Sequence, residues 1–371
     1  MIVGVPKEIK NNESRVSMLP FGIEDLVKSG HTVLVEKDAG LGSGFSNKIY
    51  EKSGATIIPS PQELYSSSDL IIKVKEPQES EYSFIKENQM LFTYFHFAAN
   101  KMLTNGIVNS DCIAIAYETV QLESGELPLL IPMSEVAGRM AVQNGAKCLE
   151  ASMGGRGKLL SGVPGVDPAT VTILGGGIVG MNAAKLAAGL GAKVNILDIN
   201  PNRLKYIDDV MPSNVFTLYS NHHTILDLLP NTDLLIGAVL VVGAKAPNLV
   251  TKDMLSLMPQ RSVIVDVAVD QGGCVETCRP TTHKNPTYEV DGIIHYCVAN
   301  MPGAVPYTST IGLSNTTYPF IRMIANKGYK KAFRDDKSLL KGLNIYKGKV
   351  THKGVSDAFD LKFTSADKIF C

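Results

Sequence analysis

The sequence predicts an α/β chain of two Rossmann-like domains, each built on a doubly wound, mostly parallel sheet. Three observations carry that prediction. Short apolar runs alternate with helical patterns along most of the chain, a G-x-G-x-x-G turn joins a strand to a helix near the middle, and two long helical patterns flank the segment that holds this turn. At 371 residues the chain is long for a single core, so two domains are the natural division.

The first alternation begins at once. Ile2–Val5, Val33–Val35, Ile57–Ile58, Leu70–Val74, Met90–Tyr94 and Ile113–Ala116 read as strands. Helical patterns at Phe21–Ser29, Pro61–Ser66 and Ala98–Asn105 lie between them, and crossovers of that kind imply a parallel sheet covered on both faces. The fourth strand breaks off at Lys75-Glu76-Pro77. Such carboxyl ends are where open α/β sheets place ligands. A long helix pattern follows Pro132, with Ser134 and Glu135 at its head, and runs to about Met153; a Gly/Pro loop then spans Gly154–Pro168.

The next segment holds the most specific local pattern. Val171–Leu174 forms a β-branched strand that runs into Gly175, Gly177 and Gly180, and a helix follows with Ala183, Ala184, Ala187 and Ala188 on one face. A second strand, Val194–Leu197, closes on Asp198. Gly175 allows the tight turn, Gly177 lets a pyrophosphate approach the backbone, and Gly180 lets helix and strand pack closely. The helix N-terminus offers free N–H groups and a positive dipole end to the phosphates. Asp198 stands where a carboxylate takes the ribose hydroxyls and meets a 2′-phosphate with like charge, which favours NAD. Arg203 is the complication, because an arginine nearby can accept that phosphate; its other reading is a solvated helix residue over the adenine.

The second alternation continues through Val215–Leu218, Leu234–Val242, Val263–Val267 and Ile293–Val298. After Met301-Pro302-Gly303 another long helix pattern runs from about Pro306 to Lys330. The expected division is a discontinuous substrate domain, 1–130 plus 306–371, around an NAD-binding domain, 131–305, with the active site in the interdomain cleft. No repeat and no low-complexity segment interrupts this plan.

Composition excludes several functions. Lys plus Arg equals Asp plus Glu at 36 each, for a formal net charge of zero, and nothing there suits nucleic acid or an anionic membrane. No apolar run reaches the roughly 18 residues of a membrane span. The start Met1-Ile2-Val3-Gly4-Val5-Pro6-Lys7-Glu8 lacks the form of a signal peptide, so a cytoplasmic protein is expected. None of the six cysteines forms C-x-x-C. Cys274, Cys278, His283 and Cys297 match no common zinc spacing, and no metal is expected.

A nucleotide domain beside a second α/β domain suggests hydride transfer, with the substrate held outside the glycine turn. Four residues stand out. Arg15, in the loop after the first strand, can grip a carboxylate by two parallel hydrogen bonds, although by position alone a surface arginine is the commoner reading. Lys75 can support a carbonyl or carboxylate at the end of its strand; alternation puts Lys73 on the same side, and one of the two can simply be solvated. His96 ends an apolar and aromatic strand and suits proton transfer, as it also suits a core histidine with a satisfied hydrogen bond. Asp270 lies between an apolar strand and Gly272-Gly273, either stabilising the turn or facing the nicotinamide and substrate.

In their neighbourhoods these residues resemble the alanine dehydrogenase family. The matching segments include VGVPKEIKNNESRV (3–16), LIIKVKEP (70–77), LFTYFHFAA (91–99), LPLLIPMSEVAGRMA (127–141), ILGGGIVG (173–180), DVAVDQGGCVETCRPTTHKNPTY (266–288) and HYCVANMPGAVPYTST (295–310). The resemblance implies NAD-dependent, reversible oxidative deamination of L-alanine to pyruvate and ammonia by a homohexamer. It places Arg15 and Lys75 on the substrate and His96 and Asp270 as the acid–base pair. On the nucleotide it places Ser134, Ile178, Val179, Asp198, Arg203, Ser220, Val239, Leu240, Val267, Ala268, Val269, Asp270, Arg279, Val298, Ala299, Asn300 and Met301, beside the three glycines. The far C-terminus is diverged, and 306–330 lacks a carboxylate–histidine pair for a bound metal. Related folds offer rivals: a saccharopine-type enzyme, a transhydrogenase subunit, or a non-catalytic NAD-binding relative. A saccharopine-type enzyme takes a large second substrate and needs a wider cleft, and the set Arg15, Lys75, His96 and Asp270 argues against the other two.

Overall fold

The computed structural model describes residues 1–239, 247–269 and 272–370, so Leu240 and Asp270 lie outside the described residues. The chain forms two compact units, Met1–Met133 with Val305–Cys371, and Ser134–Ala304.

The first unit opens with β1 (Ile2–Val5), α1 (Pro20–Lys28), β2 (Thr32–Glu36), α2 (Asn47–Lys52), β3 (Thr56–Ile58), α3 (Pro61–Ser67), β4 (Leu70–Ile72), β5 (Met90–Thr93), α4 (Lys101–Asn109) and β6 (Ile113–Ala116). All neighbouring pairs among these six strands are parallel. Successive strand residues divide between two apolar layers. Leu70, Ile72, Met90 and Phe92 pack with Ile23 and Leu26 of α1, whereas Ile71 and Leu91 pack with Leu64 of α3 and Leu103 of α4. A sheet buried on both faces explains why these strands read as unbroken apolar runs.

Two of the boundaries that differ from the sequence reading have a visible cause. The fourth strand stops at Ile72 rather than Val74, because the amides of Val74 and Lys75 turn to the Glu8 carboxylate, at 2.6 and 3.3 Å. The fourth helix starts at Lys101 rather than Ala98. The Asn100 side chain accepts from Leu103 N at 3.1 Å, which makes it the N-cap and leaves 97–99 as a separate turn.

The helix α5 (Ile131–Cys148) leads to the second unit, ending before the expected Met153. There β7 (Thr170–Leu174), α6 (Ile178–Gly189), β8 (Lys193–Asp198), α7 (Pro201–Val210), β9 (Val215–Tyr219), α8 (His222–Leu228), β10 (Leu234–Gly237), β11 (Val263–Asp266), β12 (Thr287–Val290) and β13 (Ile293–Tyr296) follow. The sheet order is β12-β13-β11-β10-β7-β8-β9, and among the described strands of this sheet only the β12–β13 pair is antiparallel.

The chain then returns to the first unit through α9 (Pro306–Lys327), α10 (Tyr329–Asp335), α11 (Lys337–Lys341), β14 (Leu343–Tyr346), β15 (Lys349–Val350), α12 (Lys353–Phe359) and α13 (Asp367–Phe370). The helix α9 ends before the expected Lys330, at a Gly328 held at φ 71°. The strand β14 adds antiparallel to β6, giving the order β15-β14-β6-β5-β4-β1-β2-β3. The returning C-terminal segment thus completes a sheet edge.

Candidate active site

In both sheets the order reverses at the first strand: β1 pairs with β2 on one side and β4 on the other, and β7 with β8 and β10. Loops leave such a point in opposite directions and open a crevice at the carboxyl ends of the strands. Most of the candidate residues lie on the loops that leave these ends or on the helices that those loops enter.

In the first unit Arg15 lies in the loop between β1 and α1, and it is 2% exposed. A surface role is therefore overturned. Its Nε and Nη2 donate to the two carboxylate oxygens of Glu13, at 2.7 and 2.5 Å, and its Nη1 lies 3.0 Å from the Met133 sulfur. Burial works against the charge on Arg15, but the Glu13 carboxylate outweighs it and raises the arginine's pKa. The same ion pair overcomes burial at Glu13 and lowers its pKa.

Lys75 follows β4 and is half-buried. Burial, followed by the positive charges of Arg15 and Lys10, lowers its pKa. Lys73, offered above as a solvated alternative, is 1% exposed. It pairs with Glu81 at 2.9 Å and Glu8 at 3.4 Å. Glu81 also accepts from Tyr65 Oη at 2.9 Å and Gln78 N at 2.7 Å. A buried cation with two carboxylates anchors the chain that presents Lys75.

His96 follows β5 and is exposed, which removes the core-histidine reading. Its backbone is left-handed, φ 51° and ψ 42°, and its ring stacks on Tyr94 at 5.9 Å and 6°. Arg15, Lys75 and His96 thus follow β1, β4 and β5, which are adjacent in one sheet.

In the second unit the glycine turn has the geometry its sequence implies. Gly175 has φ 101°, where a side chain is strained. A Cβ at Gly180 would collide with the Gly175 carbonyl, whereas one at Gly177 would meet nothing within 4 Å. The turn therefore presents open backbone at the start of α6, as a pyrophosphate requires. Gly138 of α5 lets that helix lie against the Val179 carbonyl. Ser134 lies in α5, and Ile178 and Val179 begin α6.

Asp198 ends β8, and its oxygens accept from Gly176 N and Asn200 N, each at 2.8 Å. Arg203 is not a freely solvated residue. Its Nε donates to the Gly176 carbonyl, and its guanidinium lies 5.2 Å from the Tyr206 ring centre. Ser220 donates its amide to Asp198 O at 3.0 Å. Val239 follows β10. Arg279 is exposed, with its guanidinium 4.4 Å from the Tyr288 ring centre.

Val267, Ala268 and Val269 follow β11 on a segment whose anchor has no sequence signal. Asp266, fully buried, accepts from Ala268 N at 2.9 Å, Cys274 N at 2.8 Å and Val275 N at 3.2 Å. Burial raises its pKa. Val298, Ala299, Asn300 and Met301 follow β13, and Asn300 is left-handed at φ 58°. His283 of the zinc-like cluster points instead to the Asn300 carbonyl, at 3.3 Å. Among the described residues no group of three or more His, Cys, Asp or Glu is placed to hold a metal.

Two family models match this chain almost end to end: alanine dehydrogenase/PNT, N-terminal domain, over residues 4–137, and alanine dehydrogenase/PNT, C-terminal domain, over residues 141–353. The chain belongs to the alanine dehydrogenase/PNT family. The family is one of pyridine-nucleotide oxidoreductases. An alanine dehydrogenase of Methanococcus maripaludis is 55% identical over 369 residues, covering 99% of each chain. A solved L-alanine dehydrogenase superposes with a TM-score of 0.94 at 51% identity, covering 97% of this chain and 99% of that one. A transhydrogenase from Sinorhizobium meliloti shares the fold, with a TM-score of 0.79 at 23% identity over 95% of this chain and 99% of that one.

Proposed function

We propose that this chain catalyses the NAD-dependent, reversible oxidative deamination of L-alanine to pyruvate and ammonia, as a cytoplasmic homohexamer. The observation that carries the reading is the buried Arg15, locked by Glu13 at the carboxyl end of β1 beside the chain that presents Lys75. Relatives named alanine dehydrogenase support it.

The glycine turn, Asp198 and the helix and strand-end residues named above from Ser134 to Met301 would hold NAD, with Leu240 and Asp270 contributing from outside the described residues. Asp198 and the engagement of Arg203 with Gly176 favour a free 2′-hydroxyl over a 2′-phosphate. Bound NAD supplies the acceptor for the hydride that leaves the α-carbon. Arg15 fixes the substrate carboxylate by a bidentate contact. Lys75, with its lowered pKa, supports the oxygen that develops at the α-carbon as water adds to the imine. His96 carries the protons that water addition and ammonia release exchange. Asp270 activates that water and stabilises positive charge on the nitrogen. The first domain, 1–130 plus 306–371, holds the substrate, and 131–305 holds the cofactor.

A transhydrogenase passes hydride between two nucleotides and needs no residue for an amino-acid carboxylate. Mixing the purified chain with NAD and L-alanine, glycine, lysine or no amino acid separates the readings by NADH absorbance. L-Alanine is expected to give the fastest reduction, with glycine slower because one methyl is worth about 1–3 kcal/mol in a small pocket. Reduction with lysine but not with L-alanine, or no reduction with any amino acid, would reject the proposal.

A further inference from the structure

One half-buried carboxylate beside His96 has no part in the chemistry above. Glu118 sits in the turn Tyr117–Thr119 that follows β6. Because β5 and β6 run parallel with Thr93 opposite Ala116, the chain beyond each strand leaves the sheet at the same end. Glu118 Oε1 accepts from His96 N at 2.5 Å and Phe95 N at 3.2 Å, and Oε2 from Phe95 N at 3.3 Å. Two successive amides thus converge on one carboxylate, a charge-assisted arrangement stronger than neutral pairing.

The conformation being held is an uncommon one. His96 is left-handed, a region that non-glycine residues seldom occupy and that persists only where the surroundings over-determine it. Its flanking rings, Phe95 and Phe97, are 1% exposed and stack on each other at 4.4 Å. They tether the backbone on one side while Glu118 ties its amides on the other. The imidazole is left exposed over Tyr94.

We infer that Glu118 is a positioning residue: its carboxylate holds the 95–96 backbone in the left-handed turn that presents the His96 imidazole for proton transfer. This rests on the reading of His96 as the acid–base group. Glu118→Ala should lower kcat about 10- to 100-fold, the scale of a misplaced catalytic group, while KM for L-alanine and NAD shifts less than about threefold, the mark of an interaction outside ground-state binding. Glu118→Gln keeps one acceptor oxygen and should lose less; if the alanine variant fails to fold, Gln and Asp variants carry the test. In a His96→Ala background the same change should add less than about twofold, because the two residues act as one unit. An unchanged kcat in the Glu118 variants would overturn the inference, as would an equal loss with and without His96. Near-full activity of His96→Ala alone would overturn the acid–base reading itself, an outcome distinguishable from failure at Glu118.

Discussion

The two sheets share a strand order through their first five strands, β3-β2-β1-β4-β5 and β9-β8-β7-β10-β11, yet they furnish their switch points in opposite ways. After β7 the chain turns on glycines and presents backbone, and the nearby Asp198 carboxylate accepts from Gly176 N of that turn and from Asn200 N of its own loop. After β1 and β4 it presents charged side chains, each backed by a carboxylate: Glu13 behind Arg15, and Glu8 behind the Val74 and Lys75 amides. A pyrophosphate spreads its charge over many oxygens and suits aligned N–H dipoles. A small carboxylate needs one rigid, directional cation. Under the proposed function the same topology would serve two kinds of ligand, and the difference lies in the loops at the strand ends.

The sharpest way to break this contrast is at His96. Replacing it with Ala should lower kcat by about two to four orders of magnitude, the usual share of general acid–base catalysis, with nucleotide affinity intact in a fluorescence titration. Next in size is the cofactor preference. Asp198→Ser removes the like charge facing a 2′-phosphate and should raise kcat/KM for NADP relative to NAD by roughly 10- to 100-fold, given the several kcal/mol that apposed like charges cost. An unchanged ratio would show that Asp198 serves only the turn.

The glycines give a finer test, because the structure separates two kinds of requirement. Gly180→Ala drives a Cβ into the Gly175 carbonyl and should cost about 1–3 kcal/mol of stability, seen as a lower Tm without any nucleotide. Gly177→Ala meets no protein atom within 4 Å, so its Tm should hold while KM for NAD rises roughly tenfold, about 1.4 kcal/mol. If both variants behave alike, the backbone account of that turn fails.

The smallest expected effect is on acid stability. The folded-state pKa of Glu13 lies below its ordinary 4.5 because the Arg15 pair outweighs burial. Its contribution is therefore fully present above pH 4.5 and is lost as pH falls through the lowered value. Glu13→Gln should be less stable at neutral pH and should show a flatter acid limb in urea titrations; a parallel acid limb would mean that the pair does not set it.

The same contrast explains what could be read from the residues alone. The glycine turn was legible because Gly175, Gly177 and Gly180 answer to local backbone geometry, which the spacing encodes. Most strands were legible from their apolar runs, but not their ends, and the strands at Thr287–Val290, Leu343–Tyr346 and Lys349–Val350 were not read at all. The fourth stops at Ile72 because of Glu8, far earlier in the chain, and α4 begins where Asn100 caps it. The burial of Lys73 was hidden for a similar reason: its partners Glu8 and Glu81 come from other loops. Arg15 left a faint signal, since Glu13 stands two residues before it in an E-x-R pattern. Asp266 and Glu118 left none, because a carboxylate that binds distant or neighbouring amides looks the same in sequence as one in solvent.

The division of labour is tested most directly by Lys75→Met, a change confined to the unit with charged loops. Two titrations of the purified variant suffice, NADH binding by fluorescence and pyruvate turnover with saturating ammonia and NADH. The account predicts NADH affinity within about twofold of the parent and kcat/KM for pyruvate reduced roughly 100-fold, the scale of losing one partner of a desolvated charge contact. A parallel fall in both, or pyruvate turnover left intact, would contradict it.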